Sequence, residues 1–132
     1  MRCADAFVSL HRSEGFGRGM AEAMALGRVA IATGYSGNLD FMTPETSLLV
    51  DHQLVPVGAD EYPYPDGQVW ADPSVEHAAG LMAQVVDDPA SALALGERAQ
   101  RRIRTHFSAR AIGLRYQARL DAIAAARVQE KA

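Results

Sequence analysis

SEGFGRGMAEAMALG, residues 13–27, leaves one regular element, breaks at glycines and enters another. Ahead of it, Ala6-Phe7-Val8-Ser9-Leu10 is a short apolar run bounded by polar residues and predicts a buried strand over 6–10. Behind the glycines, Met20, Ala23, Met24 and Ala25 favour a helix over 18–26, and Gly27 stands where a helix C-cap belongs. A strand, a glycine loop and a helix in succession turn several backbone N–H groups outward at the positive end of the helix, which suits an anion such as a diphosphate. Glu14 falls on the loop and Glu22 within the helix, with seven residues between them. At about 1.5 Å of rise per residue the two carboxylates reach opposite ends of one elongated ligand, and carboxylates accept from hydroxyls rather than from phosphate oxygens.

This string resembles the E-x(7)-E signature of the family 4 retaining glycosyltransferases, whose GT-B fold sets two Rossmann-like domains face to face. The likeness continues downstream. Val29-Ala30-Ile31-Ala32-Thr33 is similar to the family's next strand, Ser36-Gly37-Asn38-Leu39-Asp40 to its Gly-Gly-x-x-Glu loop, and Leu48-Leu49-Val50 to a third strand. The helical run after Trp70, broken by Asp-Asp-Pro at 87–89, matches the family's tail. Two features depart from it. Gly27-Arg28 is followed by Val29 where relatives carry proline, and residues 52–71, HQLVPVGADEYPYPDGQVWA, form an insertion. Its prolines, tyrosines and Trp70, without Gly/Ser enrichment, predict an ordered excursion or irregular hairpin.

The resemblance implies a fold and a set of roles. The chain is expected to be α/β: a partial Rossmann-like domain with about three parallel strands and helices on both faces, then a helical C-terminal tail. Residues 1–132 would form one truncated nucleotide-sugar-binding domain, without the acceptor domain or the first donor-domain strands. Glu14 is the implied catalytic residue and would bind a donor-sugar hydroxyl; the backbone of Gly15, Phe16 and Gly17 would contact the same sugar. Gly17, Arg18 and Gly19 would lie at the diphosphate, Glu22 would hold the ribose, and Ser36 and Gly37 would approach the donor through their backbone. Taken alone, Glu14 could instead cap the helix, Glu22 could be a solvated helical glutamate and Arg18 a surface arginine. Asn38 is expected to cap the next helix. The implied reaction moves a sugar from a nucleoside diphosphate donor to an acceptor saccharide or other hydroxyl with retention, the leaving diphosphate assisting the incoming hydroxyl on the same face. No cofactor or metal is implied. The alternatives are a non-catalytic fragment or interaction module that pairs with itself or a partner chain, and another GT-B enzyme such as a sugar-nucleotide epimerase, against which EGFG and EAMA speak.

Alternating strands near 6–10, 29–33 and 48–51 with helices near 18–26 and 37–42 predict a parallel sheet. After the insertion, Asp72-Pro73 reads as an N-cap with proline at the first helical position, followed by a stripe of Val75, Ala78, Ala79, Met82, Val85 and Val86. Asp88-Pro89 repeats the signal, with Ala92, Leu95, Ala99 and Ile103 as a buried stripe ending near His106. Ser108 caps a last helix bearing Ile112, Tyr116, Leu120 and Ile123, expected to fray after Asp121. Met20, Met24 and Met82 read as core. His11, His52, His77 and His106 have no metal-ligand spacing and read as structural.

The net charge of −3 conceals an asymmetry: residues 97–132 carry nine of the 13 Lys/Arg and three of the 16 Asp/Glu, a net +6, leaving −9 for residues 1–96. The basic tail reads as a solvated helical face or a patch for an absent domain. Peripheral contact with an anionic membrane is the lesser reading, and nucleic acid is not expected without an aromatic platform beside the arginines. The lone Cys3, the lack of a long apolar run and an opening Met1-Arg2-Cys3-Ala4-Asp5 unlike a signal peptide predict a reduced, cytoplasmic protein.

Overall fold

A computed structural model describes residues 3–129. Met1 and Arg2 of the leader reading, and Glu130 and Lys131 of the charged tail, lie outside the described residues. Strands β1 (Ala6–Ser9), β2 (Val29–Thr33) and β3 (Leu48–Val50) form a parallel sheet in that order, with Phe7 opposite Ala30 and Ala32 opposite Leu49. Helix α1 (Arg18–Ala25) joins β1 to β2, whereas a short 3-10 helix, Gly37–Asp40, stands where a helix over 37–42 was expected.

Alternation along the wholly buried β2 divides the core in two. Ala30 and Ala32 meet Met20 and Met24 of α1, Phe41, Met42, and Ala99 and Ile103 of helix α3 (Pro89–His106). Val29 and Ile31, on the other face, meet Val50, Leu95 of α3 and Ala78 of helix α2 (Val75–Asp87). Helices thus cover both faces of a three-stranded parallel sheet. Small side chains on the α1 face of β2 leave room for the large methionines and Phe41, all buried, to fill that layer.

The end of α1 fits its sequence. Gly27, at φ +73, follows the C-cap Leu26; its N–H donates to Met24 O and that of Arg28 to Ala23 O, closing a Schellman turn. A Cβ on Gly96 of α3 would collide with the Gly27 carbonyl, so α3 rests its backbone on this turn. Gln100 donates to Ala25 O at 3.0 Å, satisfying a carbonyl that the helix cannot. Arg98 and Arg102 donate to Glu45 O and Phe41 O at 2.8 and 2.7 Å, so part of the basic tail fastens α3 to the 40–45 segment.

The insertion is a hairpin of β4 (His52–Pro56) and β5 (Val69–Pro73), with Val55 opposite Trp70. An isolated two-stranded hairpin is marginal in water. This one is tied down: Ala71 N–H donates to Arg12 O, and the Arg12 guanidinium lies 4.8 Å from the centre of the Trp70 ring, 3.3 Å from Asp72 and 3.7 Å from Glu61.

Three helical expectations need correction. Asp72 and Pro73 do not start α2: β5 holds them extended, and Ser74 is the N-cap, its Oγ accepting from His77 N–H at 3.1 Å. Ser74→Ala is therefore expected to lower stability by about 1 kcal/mol, against no more than about 0.5 kcal/mol for Asp72→Ala, read from urea unfolding of the two variants. The packed stripe on α2 also differs from the expected one. Ala78, Leu81 and Val85 pack on the sheet, while Val75, Ala79, Met82 and Val86 are exposed, Val86 by 74%. Two adjacent stripes both have helical spacing, and only the position of the sheet chooses between them. Met82 is consequently not core. Helix α4 (Ala109–Gln129) is capped by Ser108 as expected, but Tyr116 and Leu120 are exposed rather than part of a buried face.

Asp88 caps α3 through Ser91, whose hydroxyl and then backbone N–H hold the Asp88 carboxyl below its ordinary range. A depressed pKa has a definite sign: the cap contributes above the usual aspartate range and weakens as pH falls through the lowered one.

Candidate functional site

Because the three strands run parallel, the segments that follow them emerge at one edge of the sheet, the place where open α/β sheets bind ligands. Residues 10–17 follow β1, 34–36 follow β2, and the hairpin follows β3. The first two are stitched together. Glu14 N–H donates to Ser36 Oγ at 2.8 Å, and Gly37 N–H donates to Glu14 O at 3.1 Å. Ser36 adopts φ +71, a conformation non-glycine residues enter at a cost, and a Cβ on Gly37 would overlap the Gly15 carbonyl.

Beneath these loops lies a buried polar link. Asn38, completely buried, donates from Nδ2 to Thr33 O at 3.0 Å. His11 Nε2 sits 3.2 Å from Asn38 Oδ1 and 3.0 Å from Tyr35 O. Both partners only accept, so Nε2 carries a proton, while Nδ1 lies 3.4 Å from Ser9 Oγ. Asn38 is therefore not a helix cap; Ser36 occupies the N-cap position of the 3-10 helix and makes no side-chain cap bond. The amide joins two loops because a buried side chain with both donor and acceptor can satisfy a carbonyl and an imidazole at once.

Gly17, at φ +89, is the N-cap of α1, and the Glu14 side chain makes no hydrogen bond to the first turn, so Glu14 does not cap it. The N–H groups of Arg18, Gly19 and Met20 in the first turn have no acceptors within the helix. Gly19 is needed there, since a Cβ would come within 2.8 Å of the Phe7 ring. Glu14 is half-buried beside this turn. Glu22 is exposed and forms an i,i+4 ion pair with Arg18 at 3.5 Å, which adds only a few tenths of a kcal/mol. The phosphate-side arginine and the ribose-side glutamate of the sequence reading thus neutralise each other here. Gly15 is exposed and Gly17 buried, while Phe16 lies 4.9 Å from Phe41 and 6.4 Å from Phe107, an aromatic contact that anchors the loop. Ser36 and Gly37 direct their polar groups onto Glu14.

Facing the 13–15 loop across an open cleft of about 540 Å³ is the hairpin loop, which contributes Tyr62, Tyr64, Gln68 and Trp70; Ser13, Glu14 and Gly15 line the other wall. The sequence marked the insertion as ordered, but its apposition to Glu14 is a tertiary fact with no local signal. His52 packs its ring 5.4 Å from Tyr35, and His77 Nδ1 lies 3.1 Å from Asp51 N and 3.0 Å from its carboxylate. Among the described residues no group of His, Cys, Asp and Glu is arranged to hold a metal ion, and no helix is long and apolar enough to cross a membrane. No known protein family, curated protein or solved structure matches the chain.

Proposed function

We propose that the chain is the nucleotide-sugar-binding region of a retaining glycosyltransferase of GT-B, Rossmann-like type, acting on a nucleoside diphosphate sugar. The observation that carries this reading is the arrangement at the sheet's carboxyl edge: Glu14 before, and Glu22 after, the first-turn amides of α1. Those amides supply the positive end for a diphosphate, and the carboxylates accept from sugar hydroxyls on either side. In this reading Arg18 exchanges Glu22 for a phosphate oxygen, which leaves Glu22 to the ribose. The protein contributes by orientation and by fixed dipoles aimed at the leaving diphosphate. The acceptor hydroxyl comes from a saccharide or similar compound.

Calorimetric titration with UDP, GDP and their sugars tests this, the wild type set against Glu22→Gln. Loss of charge-assisted bonds to ribose is expected to weaken binding by about 1.5–3 kcal/mol. Equal affinity in the two proteins would reduce Glu22 to a surface residue paired with Arg18.

A second reading, an interaction module that pairs with itself or a partner, is favoured by one feature. Strand β1 is an edge strand, and beside it Val8, Met82 and Val86 line an exposed groove of about 560 Å³. Sedimentation at rising protein concentration tests it: a monomer throughout speaks against self-association.

A further inference from the structure

We infer that the cleft between the 13–15 loop and the β4–β5 hairpin is a saccharide subsite, in which Tyr64 and Tyr62 offer stacking faces to a pyranose ring and Glu14 accepts from its hydroxyls. The inference rests on the transferase reading for its setting and goes beyond it by giving the insertion a ligand. Four observations carry it.

The open cleft has a volume of about 540 Å³, within the range of small-molecule sites, and is lined by Tyr62, Tyr64 and Trp70 together with Glu14 and Gln68. That mixture suits a ligand with apolar C–H faces and a hydroxyl rim: C–H groups carry partial positive charge and rest on the negative face of an aromatic ring, while hydroxyls donate to the carboxylate. Tyr64 is 92% exposed and held at φ +56, a conformation bulky residues avoid, so a large apolar ring is presented to solvent at a conformational cost. Residues forced into such regions cluster at ligand clamps. Third, the wall is pre-organised: Gln68 N–H donates to Pro65 O and Val57 N–H to Gln68 O across the loop base, and Arg12 stacks on Trp70 while pairing with Asp72 and Glu61. Fourth, Glu14 is fixed through its backbone by Ser36 and Gly37, and Arg12, two residues before it, ties the same segment to the hairpin, so the two walls are held in register.

Trp70 lines the cleft and is the only tryptophan in the chain, so its fluorescence reports occupancy directly. The test titrates the full chain with methyl α-pyranosides of D-glucose, D-galactose, D-mannose and L-rhamnose, and separately with UDP, GDP, UDP-glucose and GDP-mannose. A saturable change in the millimolar range is expected with at least one pyranoside or nucleotide sugar, weakened about five-fold in Tyr64→Ala and retained in Tyr64→Phe. If Tyr64→Ala weakens a nucleotide sugar but not its nucleotide, the ring in the cleft is the donor's; if it weakens a pyranoside alone, the ring is an acceptor's. Both support the subsite. No saturable signal from any sugar-bearing probe, or equal affinities in wild type and Tyr64→Ala, overturns it. Its fate is separable from that of the transferase reading, which stands or falls on UDP and GDP binding and on Glu22→Gln.

Discussion

Phe41→Ala is expected to lower the free energy of unfolding by about 3–5 kcal/mol, a large part of the roughly 5–15 kcal/mol that holds a domain of ordinary stability. Phe41 has no exposed surface and sits among Met20, Met24, Ala30 and Ala32. Its ring is the meeting point of Phe16, at 4.9 Å, and Phe107, at 6.0 Å, so one truncation removes contacts to the glycine loop after β1 and to the end of α3 together. Collapse around the cavity is restrained because the Phe41 backbone is fixed on both sides: its N–H donates to Asn38 O and its carbonyl accepts from Arg102 Nε. Urea unfolding followed by circular dichroism measures the effect. A loss below about 1.5 kcal/mol would mean that Phe16 and Phe107 close over the gap.

Gly37→Ala comes second, with an expected loss of about 2–5 kcal/mol, combining overpacking with two broken hydrogen bonds. The mechanism is steric. Gly37 is not among the residues with positive φ, so alanine suits its backbone, yet the added methyl would fall on the Gly15 carbonyl carbon and oxygen and on Glu14 O. Those are backbone atoms and cannot swing aside as a side chain would. The loops must part, breaking Gly37 N–H to Glu14 O and Glu14 N–H to Ser36 Oγ. Thermal unfolding measures the loss, and proton spectra should show shifts at Glu14 and Gly15 rather than across the sheet. An unchanged Glu14 amide resonance would mean that the two loops are not in contact in solution.

The parallel sheet was readable because each of its units carries punctuation. Gly27 closes α1, Asp88-Pro89 opens α3, and β2 is buried at every position and apolar from Val29 to Ala32, as suits a strand covered on both faces. Where two local signals were equally good, tertiary contacts decided between them. Asp72-Pro73 is a sound helix start, but pairing of Pro73 with His52 keeps it in β5. The α2 stripes are indistinguishable without the sheet, and the buried role of Asn38 depends not only on Thr33, five residues before it, but on His11, 27 residues away in sequence. Of the candidate site, the placement of Glu14, Gly17 and Glu22 around the start of α1 was legible from spacing. The opposing wall was not, because no pattern in residues 52–71 specifies that Arg12 will hold Trp70 beside the glycine loop.

The exposure of α4 bears on the cooperativity of unfolding. This helix has 21 residues, about 30 Å of length, and touches the body chiefly at its start, where Ala111 and Ile112 are half-buried and Arg115 stacks 5.7 Å from the Phe107 ring centre. Leu114, Tyr116 and Leu120 point to solvent, so little burial supports its later turns, and helices sustained by propensity alone are marginal in water. The later turns of α4 are therefore expected to open as a separate low-energy unit, exchanging amide hydrogens through local fluctuations while the sheet exchanges through global ones. Ellipticity lost early on heating belongs to that unit, and a single transition fitted to the whole chain would average two separate equilibria.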